Sequence, residues 1–122
     1  MGKKTITGTK NVYELAQERL KVIFNEFDNI YVSFSGGKDS GVLLNMCIDY
    51  IRRNNLKIRL GVFHMDYEIQ YKMTIDYVDR ILEANKDILD VYRVCVPFRV
   101  STCTSMYPVS YTHLTLPTIC SV

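Results

Sequence analysis

Charge of either sign is nearly absent in excess: 15 Lys and Arg stand against 13 Asp and Glu in 122 residues, a formal net charge of +2. So small a surplus gives no basis for direct nucleic-acid binding or a membrane-surface partner. The basic residues are also scattered, apart from Lys3-Lys4 and Arg52-Arg53. No apolar run approaches the roughly 20 residues of a membrane span. The opening "MGKKTITGTK" shows no apolar core of a secretory signal, and Ile6 stands where a myristoylation signal wants Ser or Thr. Cys47, Cys95, Cys103 and Cys120 show no CxxC spacing, and only His64 and His113 could join them as nitrogen ligands. That pattern reads as buried thiols in a reducing cytoplasm rather than a disulfide framework or a zinc site. Internal repeats and low-complexity linkers are absent.

What is present suits one small α/β domain. Apolar residues make up 48% and charged residues 23%, ordinary for a globular chain. Residues 1–10 read as a loose polar arm. From Asn11, a plausible N-cap, Tyr13, Ala16, Leu20, Ile23 and Phe27 recur at helical spacing, widened by Val12, Leu15 and Val22; Asp28-Asn29 ends the pattern. Ile30–Phe34 reads as a strand. Asp39 to about Arg53 reads as a helix with Val42, Leu43, Met46, Cys47, Ile48 and Ile51 inward, closed by Asn54-Asn55. Ile58–Asp66 is a second strand, Glu68–Asn85 a third helix with Ile69, Met73, Tyr77 and Ile81 on one face, and Leu89–Pro97 a third strand.

Alternating helices and apolar strands imply a parallel sheet with helices on both faces and right-handed crossovers. Ligands of such sheets bind beyond the carboxyl ends of the strands. Here those ends carry Ser35-Gly36-Gly37, Met65-Asp66 and Pro97-Phe98.

The first of these is the most informative. In "YVSFSGGKDSGVLLNM" (31–46) a strand turns into a helix through Ser35, Gly36, Gly37, Lys38, Asp39 and Ser40. A helix that starts here directs unpaired N–H groups and partial positive charge out of its N-terminus. The glycines permit a tight turn and close approach to the backbone. The serine hydroxyls add donors and Lys38 a full positive charge, which together make a polyphosphate cradle. Asp39 would repel a bare phosphate, but it suits the Mg²⁺ that accompanies a nucleoside triphosphate. The alternative is a plain glycine-rich turn with Asp39 as an N-cap. The segment is neither a Walker A loop nor GxGxxG.

"SGGKDS" after a first parallel strand resembles the PP-loop of the ATP-pyrophosphatase and phosphoadenosine-phosphosulfate (PAPS) reductase superfamily. "FHMDYE" is similar to the second-strand end of its PAPS reductase-like branch, with Asp66 and Glu68 as the acidic pair. Residues from about 10 to 107 resemble a bacterial subgroup of PAPS reductase-like proteins. The resemblance implies a Rossmann-like PP-loop fold, of which three strands are expected here, and action at the α-phosphate or sulfonucleotide group of an adenine nucleotide. It places Ser35, Gly36, Gly37, Lys38 and Ser40 on phosphate, Asp39 on magnesium, and His64, Met65 and Asp66 near adenine and ribose, with Ser33 and Glu68 as further nucleotide-binding residues and Lys38 and Asp39 carrying catalysis. His64 reads better as a packed strand residue than as a general base, and both acidic residues suit the start of the third helix.

Three functions follow: Mg·ATP-dependent pyrophosphatase or adenylation chemistry, thiol-dependent PAPS reduction, and non-catalytic nucleotide binding. "SGGKDS" resembles the ATP-using members more than the reductases, and Cys103 has no reductase-like motif around it. The acceptor substrate is unnamed, and a protein partner or a second copy of the chain is left open.

From Val109 to Val122 no Lys, Arg, Asp or Glu occurs. "VSYTHLTLPT" (109–118) resembles one reading frame of a transposon-end sequencing adapter. The expectation is that residues 11–108 are the N-terminal part of the nucleotide-binding domain and that 109–122 are not native to it.

Overall fold

A computed structural model describes residues 8–67 and 70–95, together with the backbone of 98–100 and 109–111. Helix α1 spans Val12–Glu26, strand β1 Tyr31–Ser33, helix α2 Lys38–Arg53, strand β2 Leu60–Asp66, helix α3 Lys72–Ala84 and strand β3 Leu89–Cys95. Two short strands follow, β4 (Phe98–Val100) and β5 (Val109–Tyr111).

Strands β1, β2 and β3 lie side by side in that order, all parallel. Val32 pairs with Val62 and Val62 with Val91, so the middle row of the sheet is β-branched throughout. Two right-handed crossovers stepping the same way across a sheet put their helices on the same face. The burial agrees. Val32, Phe34, Leu60, Val62, His64 and Leu89 alternate onto one face and are all buried. Tyr31 and Tyr92, on the other face, are 61% and 41% exposed. Among the described residues the helix cover is therefore on one face of the sheet.

Each helix buries a narrower stripe than its apolar content suggests. In α1 only Leu20 is fully buried, while Phe24 stacks on Tyr50 with ring centroids 4.9 Å apart. Tyr13, Ile23 and Phe27, expected in the stripe, and Val12, Leu15 and Val22, expected to widen it, are exposed. In α2 the buried line is Gly41, Leu44, Cys47, Ile48 and Ile51. Val42 and Leu43, expected inward, are exposed, because at about 100° per residue they fall beside that line. In α3 Val78 and Leu82 are buried, Tyr77 and Ile81 pack against the core, and Met73, also expected inward, is exposed. Ile69 lies outside the described residues.

The helix ends follow local chemistry. Asn11 accepts from the Glu14 N–H while Glu14 accepts from the Asn11 N–H, a reciprocal cap of α1. At the far end of α2, Asn55 takes φ +47 and the Leu56 N–H bonds the Ile51 carbonyl at 3.0 Å, closing the last turn.

Two differences from the sequence reading concern extent. Helix α3 starts at Lys72, not Glu68, with Tyr71 at its N-cap. Strands β4 and β5 form a separate antiparallel pair, Arg99 opposite Ser110, where no further strand was expected. Three-residue strands are too short to show a two-residue period.

Candidate functional site

The site grows out of the point where β1 leaves the sheet. The Phe34 N–H still bonds the Phe63 carbonyl at 2.8 Å, and the Phe34 ring is buried in the core. The Phe34 carbonyl meets His64 Nδ1 at 2.7 Å. A carbonyl only accepts, so Nδ1 carries the proton and donates. His64 is 3% exposed. It works as a strut that holds the last residue before the loop, in line with a packed strand residue.

Beyond Phe34 the chain turns sharply. Gly36 has φ +86, a conformation other residues rarely adopt. Gly37 is the N-cap of α2 and supplies no side chain to cap it. The simple alternative, Asp39 as the N-cap, is therefore not what the structure has: Asp39 sits in the first turn, where its charge favours the helix dipole.

The two serines brace the loop. Ser40 Oγ donates to the Gly37 carbonyl at 3.2 Å, which leaves Ser35 Oγ to donate to Ser40 Oγ at 3.0 Å. The N–H of Gly37 donates to Ser35 Oγ, and that of Ser35 to Ser40 Oγ, each at 3.3 Å. Both hydroxyls are thus engaged inside the turn, a cross-brace that spacing alone did not reveal. Lys38 and Asp39 are exposed, and neither makes an ion pair with the other described residues. Lys38 also stands at the head of an open groove of about 650 Å³ along α2, lined by Asn45, Asp49 and Tyr77 among others.

Strand β2 runs past the end of β1. Ser33 pairs with Phe63, and β2 then continues through His64 and Met65 to Asp66, which lies opposite Cys95. The loop and the Met65–Asp66 end therefore share one edge of the sheet. Because α3 is capped at Tyr71, Asp66 is not its N-cap. Ser33 is exposed on the face of the sheet away from Phe34. Glu68 lies outside the described residues, as do Pro97, Cys103, His113 and Cys120.

Three features at this edge were not legible in the sequence. Gln70 Nε2 reaches the Met65 carbonyl at 3.4 Å. Cys95 ends β3 beside Asp66. Thr74, Tyr77 and Val78 of α3 press on the loop and on the start of α2. None belongs to a motif, and only the register and the helix crossing bring them there.

Cys47 is remote from this edge. It is 3% exposed, and burial pushes its thiol up to about 11, so it is held as the neutral thiol. No group of three or more His, Cys, Asp or Glu that could hold a metal occurs among the described residues. No helix among them is long and apolar enough to cross a membrane.

Residues 29–96, from just before β1 to just after β3, match the family model described as "Phosphoadenosine phosphosulfate reductase domain". The chain belongs to that family. The matched stretch holds the loop, β2 and β3 with their shared edge, and its relatives include PP-loop proteins. The chain is 36% identical over 98 residues to the uncharacterized protein YbdN of Escherichia coli (strain K12), covering 80% of this chain and 24% of YbdN. It is 38% identical over 47 residues to tRNA(Ile)-lysidine synthase of Photorhabdus laumondii, covering 38% of this chain and 11% of the synthase. The chain thus spans a quarter or less of the length of these curated relatives. No solved structure matches it.

Proposed function

We propose that the chain binds an adenine nucleotide, Mg·ATP, through the Ser35–Ser40 loop and acts at its α-phosphate, as a pyrophosphatase or adenylating enzyme. One observation carries the reading: the open start of α2. Its first-turn amides have no side-chain cap, Gly36 makes the left-handed turn that leads into the helix, and Lys38 stands beside them, exposed and without an ion-pair partner among the described residues. That is the arrangement which binds phosphate elsewhere. The family assignment supports a nucleotide as the ligand.

Within this reading Lys38 and the helix N-terminus stabilise negative charge on the phosphates, and Ser35 and Ser40 hold the loop in shape around them. A lone exposed carboxylate fits magnesium better than a dedicated metal cage would, since Mg²⁺ keeps several waters and is shared with phosphate oxygens. Asp39 is the residue that would hold it. The ion, when bound, polarises phosphoryl oxygens. Met65 and Asp66 are assigned to the nucleoside side of the site, with Ser33 and Glu68 as further members and His64 behind the loop. The acceptor is a second, unnamed substrate, and the setting is the reducing cytoplasm.

A second reading, PAPS reduction, is favoured by the family to which the chain belongs. It needs a nucleophilic thiol, and Cys47, buried and neutral, is unsuited to that role. Incubation of the protein with Mg·ATP and, separately, with PAPS plus a dithiol reductant decides between them. Pyrophosphate release from ATP is the expected result. Sulfite release from PAPS without pyrophosphate from ATP would replace it with the second reading. Tight nucleotide binding without either product would point to a non-catalytic nucleotide-binding protein.

A further inference from the structure

Helix α3 touches the loop junction at three places. A Cβ added to Gly36 would lie 2.8 Å from both Thr74 Cγ2 and Val78 Cγ2. One added to Gly41 would lie 2.9 Å from the Tyr77 hydroxyl. The Tyr77 ring also meets Phe34 edge-on, with centroids 6.0 Å apart, and the Arg80 guanidinium lies 6.0 Å from that ring's centroid. Thr74, Tyr77 and Val78 are spaced i, i+3, i+4 and so share one side of the helix. They bear on the residue before the loop, on its left-handed glycine and on the first turns of α2.

These contacts leave no slack. Thr74 and Val78 are β-branched and have few rotamers with which to give way, and Tyr77 is wedged between Phe34 and Gly41. Close-packed contacts of this kind pass on small displacements instead of absorbing them. Helix α3 begins six residues after Asp66 and packs behind the loop through these side chains.

We infer that α3 is the positioning element of the loop: Thr74, Tyr77 and Val78 set the loop's shape through the space left by Gly36 and Gly41. The inference rests on the nucleotide-binding reading for its functional meaning. These three are positioning residues that act through the loop.

Gly41→Ala provides the test. Alanine is a better helix former than glycine, so a loss there points to the filled space and not to the backbone. Tyr77→Phe removes the hydroxyl that the new methyl would meet. Amide hydrogen exchange at Gly36–Ser40 needs no nucleotide and is measured beside Mg·ATP affinity, with the fold checked by circular dichroism. In Gly41→Ala, exchange at the loop is expected to rise about 10-fold and affinity to fall about 10-fold; in Gly41→Ala/Tyr77→Phe both return to within about twofold of wild type. Should Gly41→Ala fail to fold, Thr74→Ala and Thr74→Val carry the test: the first loosens the loop amides and the second, which keeps the methyl against Gly36, does not. Unchanged loop exchange in Gly41→Ala, or a double variant as impaired as the single, overturns the inference. A wild type that binds no Mg·ATP but shows the expected exchange pattern overturns the functional reading alone.

Discussion

The two ends of the sheet treat their charges differently. At the end where the strands begin, Arg59 donates to Asp90 at 2.6 Å and to the carbonyls of Asp87 and Leu89 at 2.9 and 2.7 Å, and Arg52 reaches both Asn85 and Asp87 at 3.2 Å. At the end where the strands finish, Lys38 and Asp39 make no ion pair with the other described residues, and α2 opens on an uncapped glycine. The first end spends its cations on the chain's own acceptors and is structural. The second leaves a cation and a helix terminus available to something outside the chain. Helix α3 also starts without a side-chain cap, at Tyr71, but the described residues at that start have no glycine, serine cross-brace or left-handed turn. The missing cap alone is therefore not the signal. The combination around Gly36 is.

The largest expected effect breaks the open end. Gly36→Ala places a side chain at φ +86 and against Thr74 and Val78. It should cost on the order of 2–4 kcal/mol of stability by urea denaturation, from backbone strain plus overpacking. Cys47, which belongs to neither end, is probed by alkali. Cys47 has its pKa raised from 9.0 to about 11, so the unfolded chain gives up its proton first. Stability should fall as pH rises from about 9 through about 11, by at most about 2 kcal/mol, and be flat in this range for Cys47→Val once other titrations are subtracted. Arg59→Ala breaks the closed end: about 1 kcal/mol of stability is lost, since the side chain is half exposed, and Mg·ATP affinity is unchanged. Smallest is Val42→Ala. Val42 lies on the helix that carries Lys38, but 57% exposed, so its truncation should shift stability by less than about 0.5 kcal/mol.

The parts that could be read from sequence are those encoded locally. The Ser35–Ser40 turn, the Asn11 cap, the Asn54-Asn55 stop and the three parallel strands each depend on a few adjacent residues. Which way a helix faces does not. Val42, Leu43 and Leu44 are all apolar, and only packing on β1 and β2 selects Leu44 for the interior and leaves the other two outside. The sequence pattern starts α3 four residues early because acidic Asp66 and Glu68 imitate a helix N-terminus, whereas Asp66 still pairs in the sheet opposite Cys95. The roles of His64, Thr74 and Tyr77 at the loop come from residues 30 or more positions away and have no motif to announce them.

Calorimetric titration of Mg·ATP into the wild-type protein and into Lys38→Ala, each shown to be folded, tests the central claim most directly. The open end of the sheet is expected to give saturable binding in the wild type. Losing a charge-assisted contact worth about 1.5–3 kcal/mol should make it roughly 10- to 100-fold weaker in Lys38→Ala, with the melting temperature little changed. Equal affinity in the two proteins would contradict the account.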